Sequence, residues 1–317
     1  LQQTKIKTVI PYYKKWIKKF KNINSVSKAN ENTILKMWEG LGYYARARNF
    51  HDACQQITNK KLNVDTMSIE KFKSLNGVGE YIANAVYSIS RDEKVAVIDA
   101  NVKRIMSRIM MLSINNNKNI TRIQNYLQSI IPKDLPGDFN QALMELGETI
   151  CTPRNPQCDH CPINYYCLAF KNKMVDKYPT KVPKIKKPHF NIAVGIIWKE
   201  NKIIITKRKP KGLLGGLWEF PGGKVKNKES LKECISREIK EELEIEIEVG
   251  DFIQEIKHQY SHFKITLYAF HCFYKKGNFK MNSCTDIKMV SISDFKKYAF
   301  PKANHKLFQY IKKPVVN

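Results

Sequence analysis

Four cysteines crowd into seventeen residues of this chain: Cys151, Cys158, Cys161 and Cys167, spaced C-x6-C-x2-C-x5-C. Thiols this close on one segment can wrap a metal centre, which leaves the loop between them few other ways to fold. A disulfide framework would spread its cysteines through a small domain. The remaining four here, Cys54, Cys234, Cys272 and Cys284, are scattered and read as core thiols. Zinc ribbons usually show two C-x2-C knuckles, whereas only one pair here is that close. Spacing alone leaves tetrahedral zinc and a 4Fe–4S cube both open.

Around this loop the chain of 317 residues changes its grammar once. From Leu1 to about Phe170, apolar residues recur three and four apart. Turns are expected at Pro11, Asn30, Gly40-Leu41-Gly42 and Gly77-Val78-Gly79. From Lys171 to Pro188 the sequence is Lys-rich and broken by Pro179, Pro183 and Pro188, a composition that cannot bury a core. Beyond it, Phe190–Trp198, Lys202–Arg208 and Phe263–Tyr274 read as strands, and Glu229–Leu243 and Ala303–Ile311 as helices. The pattern predicts a helical domain over 1–170, a basic linker over 171–189, and an α+β domain over 190–317.

Lys and Arg number 55 against 29 Asp and Glu, a formal net charge of +26. Such an excess suits a polyanionic partner, since each cation that neutralises a phosphate releases counterions; a general compositional bias toward Lys is the alternative. No run of 18 apolar residues occurs, so no membrane span and a cytoplasmic, nucleoid-associated setting are expected. Leu1-Gln2-Gln3-Thr4 reads as helix interior without a cap. The sequence is therefore expected to start partway into a helix, with any targeting signal ahead of it.

Gly77 and Gly79 join two helical segments, and glycines there let backbone amides approach a phosphate at the next helix's N-terminus. Further on, Asp99 follows four apolar residues, Val95 to Ile98, and precedes the amphipathic run Val102, Ile105, Met106, Ile109 and Met110. Asp99 is thus expected to cap that helix. A carboxylate held rigid and partly desolvated there can also stabilise a forming oxocarbenium ion.

The hairpin, the Asp about twenty residues later and the four-Cys loop together resemble the endonuclease III superfamily of DNA glycosylases. The likeness covers the first domain and implies a 4Fe–4S cluster on Cys151, Cys158, Cys161 and Cys167. Three features resemble its adenine-specific MutY branch. Leu1–Thr4 matches an intercalating segment, Trp38–Asn49 (WEGLGYYARARN) matches a lesion-reading motif, and Tyr81 stands where bifunctional relatives carry a Schiff-base lysine. The resemblance implies that Gln3 and Tyr43 fill the duplex gap and touch 8-oxoguanine. It further implies that Tyr81, Gln141 and Asn101 line an adenine pocket and that Asp99 stabilises the sugar cation. No lyase activity is expected without the lysine amine. In this family the general-acid Glu lies just upstream of the L-Q-Q-T segment, so the sequence as given is expected to lack it and to excise adenine poorly.

In the second domain, Gly223-(x5)-Glu229-(x7)-Arg237-Glu238-Ile239-Lys240-Glu241-Glu242 resembles the Nudix box. Glu238, Glu241 and Glu242 fall on one helix face, where a hard divalent ion such as Mg²⁺ would relieve their repulsion. Glu244 replaces the family's glycine and puts the turn after the helix in doubt. Tyr260-Ser261-His262-Phe263 resembles the loop with which the MutY C-terminal domain recognises 8-oxoguanine. Together the resemblances imply an all-α helix-hairpin-helix glycosylase domain with an iron–sulfur loop, then an α+β Nudix-like domain. The implied protein is a monomeric adenine glycosylase acting on duplex DNA with adenine opposite 8-oxoguanine or guanine. The alternatives are a Nudix pyrophosphatase for oxidised nucleotides, or an inactive damage-binding protein.

Overall fold

A computed structural model describes Thr4 and residues 6–180 and 187–314. The chain divides into two compact units, Leu1–Lys61 with Lys186–Asn317, and Leu62–Ile185. These packing units differ from the sequence division at 170, because the first four helices pack with the C-terminal residues.

The first unit opens with α1 (Ile6–Lys19), α2 (Ile23–Ser27), α3 (Glu31–Trp38) and α4 (Ala45–Asn59). The turn expected at Asn30 is the start of α3, where the Asn30 side chain accepts from Thr33 N at 2.8 Å. The turn expected at Pro11 does not form, since α1 runs straight through it. Pro11 lies near the helix start and forfeits a single N–H bond there, so the amphipathic pattern on either side wins. Fully buried Ile34 and Leu35 of α3 pack with Leu217 and Ala299 from the far end of the chain.

Those C-terminal residues build a seven-stranded sheet from β1 (His189–Lys199), β2 (Lys202–Arg208), β3 (Trp218–Glu219), β4 (Gly222–Lys224), β5 (Glu246–Gln259), β6 (Lys264–Lys276) and β7 (Cys284–Val290). Its main order is β3-β2-β1-β6-β5, with β1 and β6 parallel; β4 pairs with β1 and β7 with β2. Both faces of β1 are covered, which explains its near-continuous apolar run. Val194, Ile196 and Trp198 enter one core with Phe295 and Phe300, while Ala193 and Ile197 enter another. Helices α11 and α12, numbered after the six of the second unit, flank this sheet at Leu231–Leu243 and Lys302–Leu307. Ser230 and Glu233 close a capping box at the start of α11. The turn after α11 forms despite the missing glycine: Glu244 takes φ 55°, ψ 27° and donates its N–H to Lys240 O. Pairing of its carboxylate with Lys280 at 2.8 Å offsets part of the left-handed strain.

The second unit holds α5 (Ile69–Lys73), α6 (Glu80–Arg91), α7 (Ala100–Met110), α8 (Asn117–Ile130), α9 (Pro136–Thr149) and α10 (Leu168–Lys171). Part of the expected linker belongs here. Arg108 Nε donates to Tyr178 O at 3.0 Å and the Ser113 and Thr180 hydroxyls meet at 2.8 Å, so residues 172–180 are tied to the helices.

Candidate functional site

The second unit is organised around an extended segment, Lys94–Ile98, that belongs to no strand. Its backbone polar groups would be orphaned inside the helices, and amide side chains take the place of a neighbouring strand. Asn140 of α9 donates to Val95 O at 2.9 Å and accepts from Val97 N at 3.0 Å. Gln128 of α8 accepts from Ala96 N at 3.0 Å and donates to Lys94 O at 2.7 Å. Asn84 of α6 donates to Ala96 O at 2.9 Å. Three helices thereby fix the residues leading into Asp99.

Asp99 caps α7 as expected: its Oδ1 accepts from Val102 N at 2.7 Å. The side chain is half-buried. Tyr81, on the first turn of α6, is also half-buried, and its phenol is pushed up by burial and then by the nearby charge of Asp99. The Tyr81 hydroxyl reaches Met144 Sδ of α9 at 4.0 Å. Gln141, one turn before Met144, is exposed, and its amide donates to Gly137 O of its own helix at 3.3 Å. Asn101 accepts from Arg104 Nη2 at 2.9 Å. A Cβ on Gly147 of α9 would stand 2.6 Å from Asn101 Cβ, so only glycine lets α7 and α9 approach this closely. Gly77, at φ 73°, turns the hairpin between α5 and α6, and Gly79 leads α6 with no side-chain cap on the exposed first amides.

The four clustered cysteines lie on consecutive short turns, and their donor set fits an iron–sulfur group. Burial, then the fields of Cys151, Cys167 and Cys161, push the Cys158 thiol up. Among the described residues no three His, Cys, Asp or Glu side chains close on a single metal ion. Arg108 Nη1 donates to Cys151 Sγ at 3.1 Å, and Arg104 joins Cys151 O at 2.8 Å to Gly147 O at 2.7 Å.

In the first unit the structure brings two sequence motifs together. Tyr43, partly exposed at φ 49°, ends the glycine-rich turn after α3, and its ring meets that of His262 edge-on with centroids 6.4 Å apart. The Arg46 guanidinium lies 5.5 Å from the Tyr43 ring centroid and 5.3 Å from that of Trp38. Ser261 and His262 are exposed at the tip of the β5–β6 turn. Tyr260 is not at that tip. It stacks on Phe263 at 4.8 Å, its N–H bonds Phe263 O, and burial raises its phenol to about 12. Gln3 lies outside the described residues.

The carboxylates of the acidic face of α11 are each held by neighbouring donors. Arg237 binds Glu229 at 2.6 Å, Glu238 at 2.8 Å and Glu241 at 3.3 Å, while Glu242 accepts from Ser283 Oγ at 2.8 Å and Gly222 N at 3.4 Å. The Arg237 bond holds the Glu229 carboxyl down to about 2. Nearby opens a cavity of about 610 Å³, walled by Phe190, Tyr260 and Phe263 and bearing Arg208, Glu219, Glu238 and Glu242. Sequence reasoning missed the amide clamp and the ties around Glu39. The only signals were lone Asn, Gln and Glu residues within otherwise apolar or glycine-rich runs.

Comparison with known proteins places these features. Residues 1–146 match the HhH-GPD superfamily base excision DNA repair protein, residues 151–167 the iron-sulfur binding domain of endonuclease III, and residues 193–310 the NUDIX domain. The adenine DNA glycosylase of Buchnera aphidicola subsp. Schizaphis graminum is 34% identical over 272 residues, covering 84% of this chain and 75% of that protein. That of Arabidopsis thaliana is 35% identical over 257 residues, 70% of this chain and 40% of the plant protein. That of Schizosaccharomyces pombe is 32% identical over 265 residues, 70% of this chain and 58% of the yeast protein. The match thus spans less than two thirds of the plant and yeast relatives.

Proposed function

Since the chain belongs to the adenine DNA glycosylases, we propose that it removes adenine mispaired with 8-oxoguanine or guanine from duplex DNA in base excision repair. The observation that carries the reading is the half-buried Asp99 carboxylate, fixed on Val102 N and close enough to raise the Tyr81 phenol. Adenine must leave the stack to reach such a site. Tyr81 and the α9 turn bearing Gln141 would line one side of the extruded base, with Asn101 beside Asp99. The Asp99 charge would stabilise the sugar cation as the N-glycosidic bond breaks, while the family's upstream Glu protonates the leaving base. Gly77 and Gly79 would present amides to a backbone phosphate. The lesion strand would be read in the first unit by Tyr43 and by Ser261 and His262, with Tyr260 anchoring their turn. Cys151, Cys158, Cys161 and Cys167 would hold a 4Fe–4S cluster, whose role on this reading is to order the loop.

The test is single-turnover excision in a chain carrying the family's upstream Glu. Asp99→Asn should lower the rate by at least about 10²-fold, since it removes charge stabilisation at a preorganised site. An unimpaired Asp99→Asn enzyme would sink the assignment. A second reading rests on the 610 Å³ cavity with Glu238 and Glu242 on its wall: hydrolysis of oxidised nucleoside triphosphates with Mg²⁺. Incubation of the chain with 8-oxo-dGTP and Mg²⁺ decides it by release of pyrophosphate or its absence. On the first reading the protein works as a monomer at the nucleoid.

A further inference from the structure

Glu39 lies inside the motif that bears Tyr43, yet its side chain points away from the lesion-reading turn and into the C-terminal residues. Its Oε1 accepts from Phe300 N at 2.9 Å and from His305 Nε2 at 2.8 Å, partners 261 and 266 positions away in sequence. Its Oε2 accepts from Lys36 Nζ at 2.6 Å, and the same ammonium reaches Tyr298 O at 3.0 Å. The carboxylate is only 18% exposed, and these three donors hold its pKa down against burial. A half-buried carboxylate with three donors, two of them from the far end of the chain, is a strong tie.

The turn beyond this tie holds one non-glycine residue, Tyr43, in the left-handed region. Gly40, Gly42 and Tyr43 all lie at positive φ, 96°, 73° and 49°. A side chain at Gly40 would be strained by its φ of 96°, and its Cβ would also displace the Tyr12 hydroxyl 2.6 Å away, which donates to Glu39 O at 3.0 Å. A tyrosine in the left-handed region persists only where its surroundings over-determine it. His262, the ring that meets Tyr43, sits on the turn between β5 and β6, strands of the sheet that packs with Phe300 and α12.

We propose that Glu39 is a specificity-determining positioning residue: it latches the Tyr43 turn to the Phe300–His305 segment, so that Tyr43 and His262 form one composite face for the oxidised base. It acts through those two rings and touches no nucleotide. The proposal rests on the reading of Tyr43 and His262 as lesion readers, and its test separates the two.

Binding of the 317-residue chain is measured by fluorescence anisotropy on two duplexes, one with 8-oxoguanine opposite adenine and one undamaged. Glu39→Gln keeps the shape and one acceptor but loses the charge. It should lower lesion preference about tenfold, the scale of one charge-assisted bond, with affinity for the undamaged duplex held within about twofold. In a Tyr43→Ala, His262→Ala background the same substitution should change preference no further. Equal loss on both duplexes, unchanged preference, or an undiminished effect in that background would each overturn the latch. If the unaltered chain shows no lesion preference, the lesion-reading assignment fails and takes the latch with it. If it shows preference that Tyr43→Ala, His262→Ala abolishes and Glu39→Gln leaves intact, the latch alone fails. Should Glu39→Gln not fold, His305→Ala on the opposite side of the tie is read the same way, with a drop of about threefold.

Discussion

Replacing Asn140 with leucine tests how the Asp99 segment is held. Asn140 is 1% exposed and serves two backbone groups at once, Val95 O at 2.9 Å and Val97 N at 3.0 Å. Leucine fills nearly the same space and can serve neither. Val97 is 0% exposed, so no water replaces the lost partner. Each orphaned group costs about 1–3 kcal/mol, and the more apolar side chain returns about 1 kcal/mol, leaving a net loss of roughly 3 kcal/mol. For a unit of this size that is a fall in Tm of roughly 10 °C, readable by calorimetry and by urea unfolding. Asn140→Asp supplies a second reading. Its ionised carboxylate would face Val95 O, oxygen against oxygen, and a proton would restore the donor. The folded pKa of that group is therefore raised: its stability should be full at low pH and be lost as pH rises. A loss below about 1 kcal/mol for Asn140→Leu would refute the view that side-chain amides replace a missing strand.

Other outcomes follow from the same geometry. Anaerobically purified protein should carry about four irons and matching sulfide per chain, and Cys158→Ala should lose most of both; stoichiometric zinc in their place would contradict the site. DNA affinity should fall steeply with salt, at a log–log slope of about −5 if roughly six phosphates are contacted, and a slope near zero would remove the electrostatic argument. Gly147→Ala must push α9 from Asn101 across a 2.6 Å clash, and should cost about 1–3 kcal/mol in urea unfolding. Burial, opposed by Arg208, raises Glu219 from 4.5 to about 7, so its contribution to stability is full below pH 4.5 and lost as pH rises through 7. Glu219→Gln should flatten the urea midpoint across that window.

Local spacing made much of this legible. The Asp99 cap and the helix expected over Glu229–Leu243 each depend on residues within a few positions: Asp99 caps α7, and the second helix runs from Leu231 to Leu243. Tyr43 and His262 were legible singly, as members of motifs, but their contact is not written in either motif. The ties of Glu39 and Asn140 were not legible, because an isolated polar residue looks the same whether it faces water or a backbone group dozens or hundreds of positions away. Pro11 misled for the opposite reason: its local rule is strong, and the amphipathic helix around it is stronger. At Glu244 the missing glycine put the turn in doubt, yet the turn forms, with ion pairing beside the left-handed residue.

The first compact unit is discontinuous, its two parts separated by Leu62–Ile185. On the ribosome, the faces of α3 and α4 emerge first and their partners Leu217 and Ala299 last. At about 5–20 residues per second, the intervening stretch alone delays the meeting by on the order of 10 s. The second unit, being continuous, can fold in that interval, while Ile34 and Leu35 have only the N-terminal part of their cluster (Phe20, Val26, Ala47, Cys54) to pack on. Until the C-terminal residues emerge this apolar face stays incomplete, so during synthesis the first unit exposes aggregation-prone surface that the finished fold hides.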